Sequence, residues 1–128
     1  MINYKEFDNK TILITGGSGS IGSYLTESLL ETNCKSIRIL SNNEYELYNL
    51  EKKFSYSKKL RLFLVDIRDK NRLRVATEGV DIVFHAAALK HVPICEFNPF
   101  DAVQTNVIGT QNIIESSIQS NVEKFVFI

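Results

Sequence analysis

Residues 13–22, Leu-Ile-Thr-Gly-Gly-Ser-Gly-Ser-Ile-Gly, set Gly16, Gly19 and Gly22 at G-x-x-G-x-x-G spacing between an apolar run and a helical pattern. That order suits a pyrophosphate. Glycine permits a tight turn and lets the backbone come close to an anion, and a helix N-terminus offers unpaired N–H groups and a partial positive charge. The spacing alone is weak evidence. Its place between a strand and a helix makes it specific.

A dinucleotide on this turn asks for a partner after the second strand, about 20 residues beyond the glycines, where an acidic side chain would bond a ribose 2′-hydroxyl. Ser41 stands there, followed by Asn42 and Asn43. These neutral residues do not repel a 2′-phosphate, and no arginine directly beside Ser41 clamps one. The alternative is a polar turn that touches nothing. Asp66, after the third strand, is placed to accept from an adenine amino group, with Ile67 against the ring, or else to cap a turn. Ala86, Ala87 and Ala88 leave the fourth strand, small enough to let the backbone pass close to a cofactor ribose or to pack tightly under a helix. Lys90 reads equally as a ligand for a ribose hydroxyl or substrate phosphate and as a solvated surface lysine. The two histidines, His85 and His91, lack metal-ligand spacing and a cysteine partner, so no metal site is expected.

The elements that must position these residues follow from periodicity. Residues 11–15 read as a strand and 20–33 as a helix with Ile21, Leu25, Leu29 and Leu30 on one face. Residues 36–40 form the second strand. A helix over 44–54 should bury Tyr45, Leu47, Tyr48, Leu50 and Phe54. A third strand spans 60–65, and a helix over 70–77 starts at Asp69 as N-cap. The fourth strand is 80–85, and 89–98 reads as a loop. A long helix opens at Asn98-Pro99 and runs to about Ser120, with Val103, Val107, Ile114 and Ile118 buried and Asn121 as C-cap. The last strand is 123–128. Near-continuous apolar strands alternating with helices imply a parallel sheet of βαβ units. The fold class is α/β, a Rossmann-like doubly wound sheet in the order 3-2-1-4-5, with ligands beyond the carboxyl ends of the strands.

The 128 residues make one domain. Fifteen basic and fifteen acidic side chains cancel, which gives no electrostatic case for nucleic acid or an anionic membrane. No apolar run is long enough to span a bilayer. Cys34 and Cys95 form no C-x-x-C pair, and no signal peptide is evident, so the expected setting is cytoplasmic. The apolar strand pattern continues to Ile128, so the sequence is expected to be cut short after the fifth strand. The uncovered residues of that strand, Phe125 and Phe127 or Val126 and Ile128, are expected to drive self-association, and a homo-oligomer follows.

Thr15-Gly-Gly-Ser-Gly-Ser-Ile-Gly22, Asp66-Ile-Arg-Asp69, His85-Ala-Ala-Ala-Leu-Lys-His-Val-Pro93 and Thr105-Asn-Val-Ile-Gly-Thr110 together resemble the extended short-chain dehydrogenase/reductases. The likeness is strongest to the polysaccharide-biosynthesis branch, the UDP-N-acetylglucosamine 4,6-dehydratases and related nucleotide-sugar epimerases. It covers almost the whole chain. It implies a UDP-sugar substrate, a tightly held NAD or NADP, oxidation at sugar C4, loss of water across C5–C6 and return of the hydride. It matches Gly16, Gly17, Ser18, Gly19, Ser20 and Ile21 to the pyrophosphate turn, Asp66 and Ile67 to the adenine contacts, and Ala86 to the strand-four contact. Lys90 matches a lysine near both cofactor ribose and substrate, and Asn106 the helix asparagine that supports the active site. Ser41 matches a serine that in some dehydratases precedes an arginine gripping the 2′-phosphate. Ser41 thus favours NADP, and Asn42, in the arginine's place, weakens that assignment.

The family's Tyr-x-x-x-Lys pair, in which the tyrosinate is the acid/base for hydride transfer, lies beyond the fifth strand and is absent here, so the 128 residues alone are expected to be inactive. Tyr48 and Lys52 share that spacing by chance, on the helix after strand two. Two readings from other classes remain, a non-catalytic dinucleotide-binding sensor and a fragment that associates through its sheet edge.

Overall fold

The computed structural model describes residues 4–17, 19–86 and 99–128, with Ala102 described in its backbone only. Ser18, Ala87, Ala88, Lys90, His91, Cys95 and Asn98 lie outside the described residues.

A 3-10 turn (Tyr4–Phe7) leads into β1 (Thr11–Thr15). Then come α1 (Ser20–Leu30), β2 (Ser36–Ser41), α2 (Glu44–Lys53), β3 (Leu60–Leu64), α3 (Lys70–Thr77) and β4 (Ile82–His85). Beyond β4 the chain forms α4 (Pro99–Val103), a π-helical turn (Gln104–Ile108), α5 (Gly109–Gln119) and β5 (Lys124–Phe127). The five strands make one sheet in the order β3-β2-β1-β4-β5, the order the sequence implies, and all pairs are parallel. Observed strand and helix ends fall within about three residues of those read from periodicity.

All five residues of β1 are buried, because it is covered on both faces. Ile12 and Ile14 point to one side, with Leu29, Ile37, Ile39, Leu47, Leu50, Leu60 and Ile82. Leu13 points to the other, with Leu40, Val65, Ile67, Leu73, Val83 and Ile113. The period of two along a strand thus feeds two cores, one under α1 and α2 and one under α3 and α5. Each fully buried aliphatic side chain contributes about 1.5–3 kcal/mol.

The helix ends follow their capping chemistry. Asp69 caps α3 by accepting from the Arg72 N–H at 3.2 Å, as the sequence suggests. At its other end Arg38 reaches across from β2 and donates to the carbonyls of Ala76 (2.8 Å) and Glu78 (2.6 Å). Asn121, with φ 58°, ends α5 in a Schellman motif: its N–H donates to the Ile118 carbonyl and that of Val122 to Ser117.

The helix faces are the main correction. Along the helical stretch from α4 through the π turn to α5 the sequence pattern favours Val103, Val107, Ile114 and Ile118 as the buried side, and all four are exposed. The buried side is Gly109, Asn112, Ile113, Ser116 and Ser117. The period was right and the face was wrong, because close packing against Ile67 and α3 needs small residues whose polar atoms are satisfied. A Cβ on Gly109 would sit 2.6 Å from Ile67 Cδ1. The Ser117 hydroxyl donates to the Ile113 carbonyl at 2.6 Å. The single long helix is also interrupted by the π turn. Tyr45 and Tyr48 on α2 are likewise exposed, Leu47 and Leu50 forming the buried stripe. On α1, Gly22, Thr26 and Leu29 are buried, and Ile21 is 45% exposed at the cleft. On β5, Val126 and Phe127 are exposed, as is Ile128 just beyond it, and Phe125 is half-buried.

The face assignment on α5 has a direct check by urea unfolding. Ile113→Ala should cost about 2–5 kcal/mol, as a cavity in a packed core does. Ile114→Ala and Ile118→Ala should each stay within about 0.5 kcal/mol.

Candidate functional site

The carboxyl ends of the strands share one edge. Thr15 pairs with Leu40 on one side and His85 on the other, and His85 with Phe127. Between β1 and β4 the strand order reverses, and the glycine turn lies at that point. Gly16 has φ 68°, a conformation glycine adopts without strain. The Gly19 N–H donates to the Gly16 carbonyl at 3.1 Å, closing the turn. A Cβ on Gly22 would strike the Gly16 carbonyl and come within 2.5 Å of the Gly17 Cα, so α1 starts directly against the turn. A Cβ on Gly17 would strike Ile39 in β2. A Cβ on Gly19 meets only the Gly16 carbonyl, at 3.4 Å.

Gly19 is the N-cap of α1, with extended backbone and no side-chain cap, and the first turn carries no carboxylate. The leading N–H groups therefore have no intrahelical partner and no acid of the same turn to neutralise them. Ser20 and Ile21, the first two helical residues, are exposed there. Anion binding at such a terminus is what the geometry supports.

Asp66 follows β3. Its carboxylate receives the Arg68 N–H at 2.9 Å and the Arg68 guanidinium through Nε (3.0 Å) and Nη2 (2.6 Å). Those bonds from Arg68 hold its pKa below the ordinary carboxylate value. It is a fixed anion at the sheet edge. Ile67 is 6% exposed and its side chain packs against Gly109. The loop carrying both is pinned from α5: the Asn112 amide donates to the carbonyls of Ile67 (3.1 Å) and Arg68 (3.3 Å).

His85 joins three elements. Its Nε2 lies 3.0 Å from the Thr110 hydroxyl, whose own proton goes to the Asn106 carbonyl at 2.8 Å. Nε2 must therefore carry the ring proton. Nδ1 accepts from the Thr15 hydroxyl at 2.7 Å, and that oxygen accepts from the Ala86 N–H at 3.1 Å. The chain of bonds connects the end of β1, the start of the segment after β4 and the π turn that carries Asn106. With both ring nitrogens engaged, His85 is a strut. Burial pushes its pKa below the ordinary 6.5.

Ser41, 8% exposed, ends β2 with Asn42 and Asn43 beyond it. Asn43 caps α2 by accepting from the Glu46 N–H at 3.1 Å. An open hollow of about 550 Å³ is lined by Asn42, Asn43, Glu44, Tyr45 and Tyr48. The Tyr48–Lys52 pair lies on α2 with the ammonium 5.1 Å over the ring, a cation–π contact on the outer layer. Ser18, Ala87 and Lys90 lie outside the described residues. Among those described, the structure gathers the glycine turn, Ser41, Asp66, Ala86 and Asn106 along one edge. Sequence reasoning missed Thr15, Thr110, Asn112 and Glu46. Thr110 lay inside a quoted motif, and Asn112 follows Gly109 by one helical turn. Among the described residues no group of three or more acidic, histidine or cysteine side chains could hold a metal, and no helix is long and apolar enough to cross a membrane.

A family model for polysaccharide biosynthesis proteins matches residues 12–128. An uncharacterised membrane protein of Methanocaldococcus jannaschii is 57% identical over 95% of this chain and 36% of its own. An inverting UDP-N-acetylglucosamine 4,6-dehydratase of Campylobacter jejuni is 44% identical over 94% of this chain and 36% of its own. The structure of a dTDP-glucose 4,6-dehydratase from Streptomyces venezuelae with NAD bound matches 90% of this chain and 38% of that one, at 28% identity and a TM-score of 0.76. The chain thus spans little more than a third of the length of these relatives.

Two substitutions separate the roles of the turn. Gly22→Ala should lower stability by about 1–3 kcal/mol, the usual cost of overpacking, and Gly19→Ala by less, in thermal unfolding of both. For His85, a lowered pKa means the unfolded chain binds more protons in acid. Its contribution to stability is complete above pH about 6.5 and is lost as the pH falls through the folded value. His85→Leu should be less stable at pH 7.5 by about 1–3 kcal/mol, since two hydroxyls lose their ring partner. Its stability should also fall less steeply between pH 7 and 5, read by urea unfolding.

Proposed function

The chain belongs to the polysaccharide biosynthesis protein family, and on that footing we propose that it is the dinucleotide-binding part of a nucleotide-sugar 4,6-dehydratase or epimerase. The observation that carries the reading is the uncapped N-terminus of α1, seated against a turn where a Cβ at Gly22 cannot fit. A pyrophosphate fits that cradle. The family relatives named for their activity are enzymes, and the Streptomyces structure holds NAD.

In this reading the N–H groups of Ser20, Ile21 and Gly22, with the turn residues Gly16, Gly17, Ser18 and Gly19, hold the pyrophosphate. Asp66, kept ionised by Arg68, accepts from the adenine amino group. Ala86 and Ala87 line the ribose, and Lys90 bonds the ribose and the substrate. Asn106 stands on the π turn, a helical irregularity frequent at functional sites. His85 and Asn112 hold these pieces in register. A bound nicotinamide dinucleotide supplies the hydride acceptor and donor for oxidation at sugar C4, elimination of water and return of the hydride. The substrate is a UDP-sugar of the N-acetylglucosamine type, and the setting is the cytoplasm, where Cys34 stays a free thiol.

Calorimetric titration of the protein with NAD, NADP and UDP-N-acetylglucosamine tests the reading. One dinucleotide should bind, and Asp66→Ala should weaken it about tenfold or more, the worth of a charge-assisted hydrogen bond. Binding of neither dinucleotide would overturn it.

A further inference from the structure

Ser41, the strand-end residue at the position from which a carboxylate usually meets the adenosine ribose, carries no charge. The structure brings one there from α2. The Ser41 hydroxyl donates to Glu46 Oε2 at 3.3 Å and accepts from the Asn43 N–H at 3.1 Å. Asn43 in turn accepts from the Glu46 N–H. This is a capping box displaced by two residues: the acidic side chain three positions after the N-cap passes over the N-cap and takes the serine two positions before it.

Two consequences follow for a ligand on the glycine turn. Thr15 pairs with Leu40, so Ser41 ends β2 beside the start of that turn. The serine's proton is committed to Glu46, so it has none to give a 2′-phosphate. The group it would meet instead is a carboxylate, with the Glu44 carboxylate in the same helical turn. No lysine or arginine lines the adjoining hollow among the described residues, the nearest cation on α2 being Lys52 over the Tyr48 ring. A carboxylate offers about four acceptor sites, enough for the serine and a ribose hydroxyl together. A phosphate there would meet like charge.

We propose that Glu46, steered to the end of β2 by Ser41, is the residue with which this protein selects NAD over NADP. The proposal rests on the dinucleotide reading above. It turns the neutral Ser41-Asn42-Asn43 segment from an opening for NADP into the support of an acidic selector.

The test is the ratio of the two dissociation constants, measured by calorimetry on the wild-type protein, Glu46→Gln and Ser41→Ala, with thermal unfolding to show that each variant is folded. Wild type should bind NAD at least about tenfold more tightly than NADP. Glu46→Gln should shrink that ratio about tenfold, chiefly by admitting NADP, and Ser41→Ala should shrink it less. A wild type that binds NADP as tightly as NAD, or a Glu46→Gln variant with an unchanged ratio, overturns the proposal while leaving the dinucleotide site standing. A wild type that binds neither overturns the dinucleotide reading and this one with it.

Discussion

The contact of α1 with the turn that precedes it governs the cradle. Gly22 lies so close to Gly16 and Gly17 that no side chain fits between them. Because of that approach, the helix axis points its first N–H groups at the space beyond β1, the place where the strand order reverses. Gly17 repeats the constraint toward β2, where Ile39 occupies the volume a side chain would need. Three backbone segments are thus brought together by absent atoms, and the close approach itself stiffens the cradle.

The rest of the edge is held by polar groups buried beneath it. His85 ties β1 to the π turn through two threonine hydroxyls, and Asn112 ties α5 to the loop carrying Asp66. These bonds run between segments 25 to 70 residues apart. Each replaces water lost on burial, and none of the described buried side-chain polar atoms is left without a partner. The helix that supplies Asn112 and Thr110 turns its small, polar side and Ile113 inward for this reason and leaves Ile114 and Ile118 outside.

Much of the architecture was legible from residue order. The strand sequence, the fold class, the glycine turn and the caps at Asp69 and Asn121 all rest on short-range chemistry: period, backbone freedom and side-chain bonds to neighbouring amides. The buried face of α5 was not legible, because hydrophobicity ranks Ile114 and Ile118 above Ser116 and Ser117. Only the distance to Ile67 and α3 shows that the larger side chains cannot fit. The exposure of Tyr45 and Tyr48 has the same origin, since an aromatic residue counts as apolar in a pattern whether or not the sheet has room for it.

By itself, then, the sequence determined the kinds and order of the elements and the position of the glycine turn, because these depend on residues within a turn or two of one another. The tertiary structure decided which face of each helix is buried, the tautomer of His85, the anchoring of the Asp66 loop by Asn112 and the acidic character of the β2 end. Those properties belong to side chains that meet through space. The direction a side chain takes, as Glu46 does in reaching back over Asn43 to Ser41, is set by what the folded backbone places within reach.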